Sequence, residues 1–308
     1  MEKIFKTLDE QIKILQDKGL VIPNEEYAKE ILLRENYFFL NGYRHLFMES
    51  KSNRVFRSGT TFNELYSMFY FDRHIRNIIF KHLLIIENNI KSIMAYELSL
   101  RYGIREDQYL NPKNFVKDSD RKKQVNDLLK KLKRQIRING GNHQATQHYI
   151  ENYGYIPLWI VVKILSFGIV GEFYSILKVE DQKEIAELFH VKYEHLLIWL
   201  PILANYRNLC AHEDVLFDHK AHRAILDSHY HSRLEIQKVN GEYIKGKNDL
   251  FALIIILKNL LRADDFYLLM ESLDYEINIL STKLKSISIQ QVLDAMGFPE
   301  NYKEIVRL

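Results

Sequence analysis

One cysteine, five prolines and twelve glycines are all that this 308-residue chain holds of the residues that cross-link or interrupt a backbone. The lone Cys210 excludes an internal disulfide framework and any multi-cysteine zinc site, and it suits a reducing compartment. So few prolines and glycines leave long stretches without a helix breaker, which makes helix the default expectation. An excess of one charge is also missing, since 43 Lys and Arg stand against 40 Asp and Glu, a net charge of +3. A histone-like binder is thereby excluded, and any hold on nucleic acid must come from local basic patches. The most apolar run, Leu250 to Leu257, spans eight residues, against roughly 20 for a membrane-spanning helix. Charges at Glu2, Lys3, Lys6, Asp9, Glu10 and Lys13 break up the apolar core that a secretion signal needs. The expectation is a cytoplasmic protein without membrane contact. The sequence carries no P-loop, no dinucleotide-binding glycine pattern and no nucleophile elbow, so no cofactor is expected.

What is present is helical periodicity. Thr61 with Glu64 three residues on forms a capping box, and the pattern then runs without Gly or Pro to Tyr102, before Gly103. About 40 residues of helix would be roughly 60 Å long, either a spine or two kinked halves. Helices are also expected near Thr7 to Lys18, from Asn24 to Asn41, and over Ser119 to Asn139, where Val125, Leu128, Leu129, Leu132 and Ile136 make an apolar stripe. Pro157 opens an almost wholly apolar segment, Leu158 to Leu177, that reads as core, with Gly168 and Gly171 as sites of close packing or a break. A short helix over Asp181 to Phe189 and a longer one from Tyr193 to about Val215, kinked at Pro201, follow. Asn240-Gly241 within Leu234 to Ile244 marks one small β-hairpin. Helices resume over Asn248 to Leu261, Asp264 to Leu280 and Ile289 to Met296, the last stopped by Gly297. The fold class is all-α, a helical bundle with a long spine helix and one hairpin near 234–244.

An arginine and a histidine a few residues apart can cleave RNA without metal. The histidine takes the 2′-hydroxyl proton and the arginine steadies charge on the in-line phosphorane. Four pairs fit the spacing: Arg76 with His82, Arg137 with His143, Arg207 with His212, and Arg223 with His229. Chance alone gives on the order of two, so spacing does not choose among them. Asn208 and His212 share a helix face, with Arg207 beside them on a long arm. In the bland reading Arg207 is a surface or capping arginine and His212 a satisfied helix-end histidine.

Four separated blocks add a likeness. They are Asn41-Gly42-Tyr43-Arg44 with Phe47; Phe71-Asp72-Arg73-His74-Ile75-Arg76 followed by Ile86-Glu87 and Ile90-Lys91-Ser92; Pro157-Leu158-Trp159 with Leu165-Ser166-Phe167-Gly168; and Arg207-Asn208-Leu209-Cys210-Ala211-His212. In this order, over roughly residues 20 to 220, the chain resembles the Abi-like abortive-infection proteins of the AbiD and AbiF type, within the wider HEPN group of helical ribonucleases. The resemblance implies a HEPN-like helical domain over 1–230; the tail 231–308 lies outside it, and its pattern reads as the hairpin plus helices packed on the same body, with its role open. It implies that Arg207, Asn208 and His212 form the catalytic motif, with RNA as substrate and 2′,3′-cyclic phosphate ends. It further implies a homodimer in which two motifs face each other, growth arrest during phage infection, and restraint by a small regulatory RNA.

By the same resemblance Glu87, on an earlier helix, faces the motif as a further site residue. The bland alternative makes Glu87 with Lys91, and Asp72 with Arg76, ordinary helix ion pairs contributing a few tenths of a kcal/mol. Arg76-Asn77 with His82 repeats the Arg-Asn start and is the most serious decoy. The basic face over Arg121 to Arg137, in particular Lys130, Lys133, Arg134 and Arg137, is the candidate RNA-binding surface, against the plainer reading of a solvated face. His219, His222, His229 and His231 with Asp218 are dense enough to raise the question of metal, but define no ligand set, and no metal is expected. The rival function is a non-catalytic module that binds RNA or a phage protein at the same pocket and arrests growth.

Overall fold

The structure is a computed structural model that describes residues 4–50 and 54–308. Glu2 and Lys3, among the N-terminal charges noted above, lie outside the described residues. The capping box at Thr61 starts a single helix, Phe62–Tyr102, with the Thr61 hydroxyl accepting from the Glu64 amide and the Glu64 carboxylate accepting from the Thr61 amide. Gly103, at φ 95°, stops it. The helix is continuous over 41 residues, so the spine reading holds and the two kinked halves do not. Ile75, Ile79, Leu83, Ile86, Ile90 and Met94 recur at helical spacing and are all fully buried. Most of a helix's stability in a protein comes from tertiary packing, so this one rests on what covers that stripe.

Three later helices do the covering. Helix Ala263–Lys283 packs along the spine, and the two are tied by His74 to Glu276 at 2.9 Å and by the Glu64 carboxylate, which accepts from the Lys285 and Ser286 amides. Helices Leu158–Ile164 and Tyr193–Ala211 also pack on the spine, the second carrying the Arg-x4-His motif at its end. Helix Leu250–Leu260 is buried on every face from Leu250 to Leu257, so the most apolar run of the chain is a core helix. Asp249 caps it by accepting from the Ala252 amide, and a Cβ on Gly297 would stand only 2.1 Å from the Asp249 side chain, so glycine is required there. Among the described residues the fold has fifteen α-helices and one two-stranded antiparallel hairpin, Lys238–Val239 with Glu242–Tyr243, turning at Asn240-Gly241. The all-α class stands. No helix among them is long and apolar enough to cross a membrane.

Several boundaries differ from the sequence reading, each for a local reason. The stretch from Asn24 to Asn41 is two helices, Glu25–Glu35 and Tyr37–Asn41, because Asn36 takes φ 66° and its side chain caps the second. The segment 158–177 breaks at Leu165 and Ser166 and not at a glycine, since the Ser166 hydroxyl caps Phe167–Ile176. Gly171 serves close packing instead, with Leu200 of the motif helix 3.4 Å from where its Cβ would be. Nor is this segment enclosed all round, for Trp159 is 41% exposed. The motif helix runs through Pro201 without a break and ends at Ala211. Pro201 is exposed, where water can serve the carbonyl left without a donor. A helix over Gln144–Tyr153 was not anticipated.

Candidate functional site

The motif helix buries Leu196, Leu200, Leu203 and Tyr206, which turns Arg207, Asn208 and His212 outward in its last turn. His212 is the C-cap, its amide donating to the Asn208 carbonyl at 3.0 Å. Arg207 reaches back to the spine, where its Nε donates to Glu87 Oε2 at 3.2 Å, and its guanidinium lies 5.9 Å from the centre of the Phe80 ring. The other oxygen of Glu87 takes the Lys91 ammonium at 2.7 Å. Glu87 thus forms the helix ion pair with Lys91 and also contacts Arg207 of the motif. The Glu87 side chain is 8% exposed and that of Arg207 32%, so one partner is fixed and the other half open. Among the described residues nothing bonds the terminal amino groups of Arg207 or the imidazole of His212. A guanidinium held by Nε alone, on a helix end that also exposes the Asn208 amide and the His212 imidazole, offers donors for an anionic oxygen and a ring that can exchange a proton.

The segment after His212 is held from behind by a buried polar network. Asp72 on the spine accepts from the Leu216 and Phe217 amides at 3.0 and 2.8 Å, from the Tyr43 hydroxyl at 2.8 Å and from Arg76 at 2.5 Å. Arg76 also donates to the Asp214 carbonyl at 3.2 Å. Tyr43 and Phe217 stack, and Phe217 also stacks with His45, which is in contact with Asp218 at 3.0 Å. A Cβ on Gly42 would come within 2.9 Å of Val215, so the backbone of the Asn41 to Arg44 block presses directly on this segment. Asp72 with Arg76 is thus no surface ion pair worth a few tenths. Both are buried, and desolvation pushes the Asp72 carboxyl up from 3.8 to about 6 against the pull of Arg76 and of its amide and hydroxyl donors. Two of the four sequence blocks meet here against the segment that follows the fourth, which makes Tyr43, Asp72 and Arg76 a frame for the chain just beyond the motif helix.

The remaining candidates scatter. His82 is buried and its ring bonds the Ile78 carbonyl at 2.7 Å, while Arg76 is buried and paired through Nη1 alone, its Nη2 having no partner among the described residues. Arg137 and His143 are exposed at neighbouring helix ends. Arg223 lines a groove of about 770 Å³ together with Asn205, Asn208, Arg121 and Gln124. This groove runs from the motif helix to the start of the basic helix Lys122–Gly140. Lys130, Lys133, Arg134 and Arg137 are exposed on that helix, opposite the buried Val125, Leu128, Leu129 and Leu132, and make no ion pair among the described residues. His219 bonds Asn205 at 2.7 Å, while His231 is buried between Ser228 and the Gly246 carbonyl. Among the described residues no three metal-ligating side chains converge. Cys210 is buried and desolvation pushes its thiol up to about 12, which makes it a poor nucleophile.

Sequence reasoning missed Phe80 and the surroundings of Glu87, and it raised Arg223 only as the partner of His229. A second groove, of about 380 Å³, is lined by Glu87, Asn88, Lys91, Ser92, Trp159 and Lys163. The signal was present in Trp159 and Lys163, a tryptophan and a lysine four apart in a segment otherwise apolar. The family profile described as Abi-like protein matches residues 30–218, which takes in every block above and ends six residues past His212. No curated protein and no solved structure matches the chain.

Proposed function

The chain belongs to the Abi-like protein family, and from that premise we propose that it is an abortive-infection endoribonuclease that cuts RNA without a metal ion. The observation that carries this reading is the Arg207 to Glu87 pair, which holds the arginine by Nε and leaves its terminal amino groups unbonded, on the helix end that also exposes Asn208 and His212. The His212 imidazole takes the proton of a 2′-hydroxyl, whose oxygen then attacks the adjacent phosphorus. The bond to the 5′ oxygen breaks, that oxygen receives a proton, and a 2′,3′-cyclic phosphate is left. Arg207 steadies the charge that grows on the phosphorane, and Asn208 orients the phosphate or the imidazole. In a homodimer the His212 of a second copy supplies the proton to the leaving oxygen, which lets one imidazole act as base while its mate acts as acid. Lys130, Lys133, Arg134 and Arg137 track the RNA backbone, and the same surface serves a regulatory small RNA. The protein would act in the cytoplasm.

A second reading is a non-catalytic module that binds RNA or a phage protein. It is favoured by one feature, that no side chain among the described residues bonds the His212 ring and fixes its tautomer. Incubating the protein and its His212→Ala variant with total and transfer RNA in EDTA, followed by end-group analysis, separates the two. Cyclic phosphate ends produced by the parent alone support the nuclease. RNA bound tightly but left intact by both supports the module.

A further inference from the structure

Helix Leu158–Ile164 buries Leu158, Ile160, Val161 and Val162 yet leaves Trp159 41% exposed, with Lys163 exposed one turn on. A single exposed apolar side chain is ordinary, but Trp159 is grouped with other exposed aromatics, and such a group marks an interaction surface. The Trp159 indole Nε1 contacts the Tyr149 hydroxyl at 3.4 Å. From there the rings continue, Tyr149 to Tyr153 at 5.4 Å and Tyr153 to Tyr155 at 6.4 Å, and Arg105 lies over Tyr155 at 5.2 Å. Tyr153 is 58% exposed. In the other direction Trp159 closes the 380 Å³ groove whose opposite wall is Glu87, Asn88 and Lys91, and Glu87 holds Arg207. A row of aromatic faces therefore leads from the candidate catalytic arginine to an arginine at the far end. Lys163 lies alongside and makes no ion pair among the described residues, and the nearby Glu106 turns inward to accept from the Ile156 amide.

We propose that this row is a track for unpaired RNA, in which a base occupies the groove against Trp159 and its neighbours stack outward over Tyr153 and Tyr155. The proposal rests on the RNA-cutting reading and adds to it the substrate class, single-stranded rather than duplex RNA. Aromatic faces accept any base, the cations Lys163 and Arg105 suit the phosphates, and Asn88 and Ser92 offer amide and hydroxyl groups to a base edge within the groove. Duplex RNA keeps its bases stacked inside the helix and has nothing to give such rings.

The test uses the full chain carrying His212→Ala, so that RNA is not consumed, and two readouts. Anisotropy of an end-labelled oligouridylate or oligoadenylate reports binding, and intrinsic fluorescence reports stacking. Trp159 and the buried Trp199 are the only tryptophans, so adding Trp159→Phe isolates the signal of the first. Single strands should quench Trp159 on binding, and duplex RNA should not. Trp159→Ala should weaken single-strand binding about tenfold or more, and the surface variant Tyr153→Ala should weaken it as well, with duplex binding unchanged. Single strands that bind without quenching, and bind Trp159→Ala and Tyr153→Ala as tightly as the parent, would overturn the track and leave the RNA reading standing. If no RNA binds at all, both readings fall. Variants that lose self-association in sedimentation, with RNA affinity intact, would overturn the track in favour of an interface between copies.

Discussion

The spine helix carries two carboxylates that each hold an arginine, Asp72 with Arg76 and Glu87 with Arg207, and their surroundings are opposite. The first pair is sealed, at 0% and 2% side-chain exposure, and Asp72 accepts from a phenol, a guanidinium and two amides. The second opens to solvent through its arginine, at 32%, and uses only Nε. A buried charge is costly without partners, and Asp72 has four, so the sealed pair acts as a fastening even though Arg76 Nη2 has no partner among the described residues. The open pair is oriented without being exhausted, which is what a group awaiting a phosphate requires. The same sequence element, an arginine a few residues before a histidine, thus becomes framework in one place and candidate chemistry in another.

The strongest way to break the comparison is to remove the sealed carboxylate. Asp72→Ala leaves Arg76 buried without its counter-charge and should cost about 3 to 5 kcal/mol of stability, read from the denaturant midpoint. An unchanged midpoint would mean that Asp72 fastens nothing. A smaller effect follows from pH. The folded Asp72 carboxyl stands at about 6, above its ordinary 3.8, so the fold binds the proton more tightly than the unfolded chain does. The proton-linked part of its contribution is therefore complete below about 3.8 and is lost as pH rises through about 6, at most about 3 kcal/mol, while the pairing with Arg76 persists above that window. Asp72→Asn should flatten stability across that window, and melting curves at closely spaced pH values will show whether it does. Glu87→Gln sharpens the other half. It keeps shape but loosens the hold on Arg207, so cleavage should fall about tenfold while stability shifts by less than about 1 kcal/mol. A change in melting with no change in rate would return Glu87 to the role of plain ion pair.

The contrast between the pairs was only half legible in the sequence. Local signals read well where a single turn decides the outcome. The Thr61 and Glu64 box began the spine, Asn240-Gly241 turned the hairpin, and Gly297 ended its helix. Breaks made by one side chain bonding its own backbone, at Asn36 and Ser166, passed unseen, because neither residue is a helix breaker by type. The sealed network was invisible for another reason, since Tyr43, Asp72 and Leu216 are brought together over separations of 29 and 144 positions. Spacing alone left Arg76 and Arg207 as equals. The family likeness favoured Arg207, and the structure gives the physical ground for the difference in their burial. Trp159 stood inside a block already noted for that likeness, yet only its exposure marks it as unusual.

The measurement that bears most directly on this account is single-turnover cleavage of labelled RNA in EDTA by Arg207→Ala, with its unfolding midpoint taken on the same sample. The account predicts cleavage reduced roughly 100-fold or more, with stability within about 1 kcal/mol of the parent, because the open pair is half exposed and its arginine is held for chemistry. Cleavage at the parent's rate would contradict it, and would show that the arginine left open by the fold is not the one that acts.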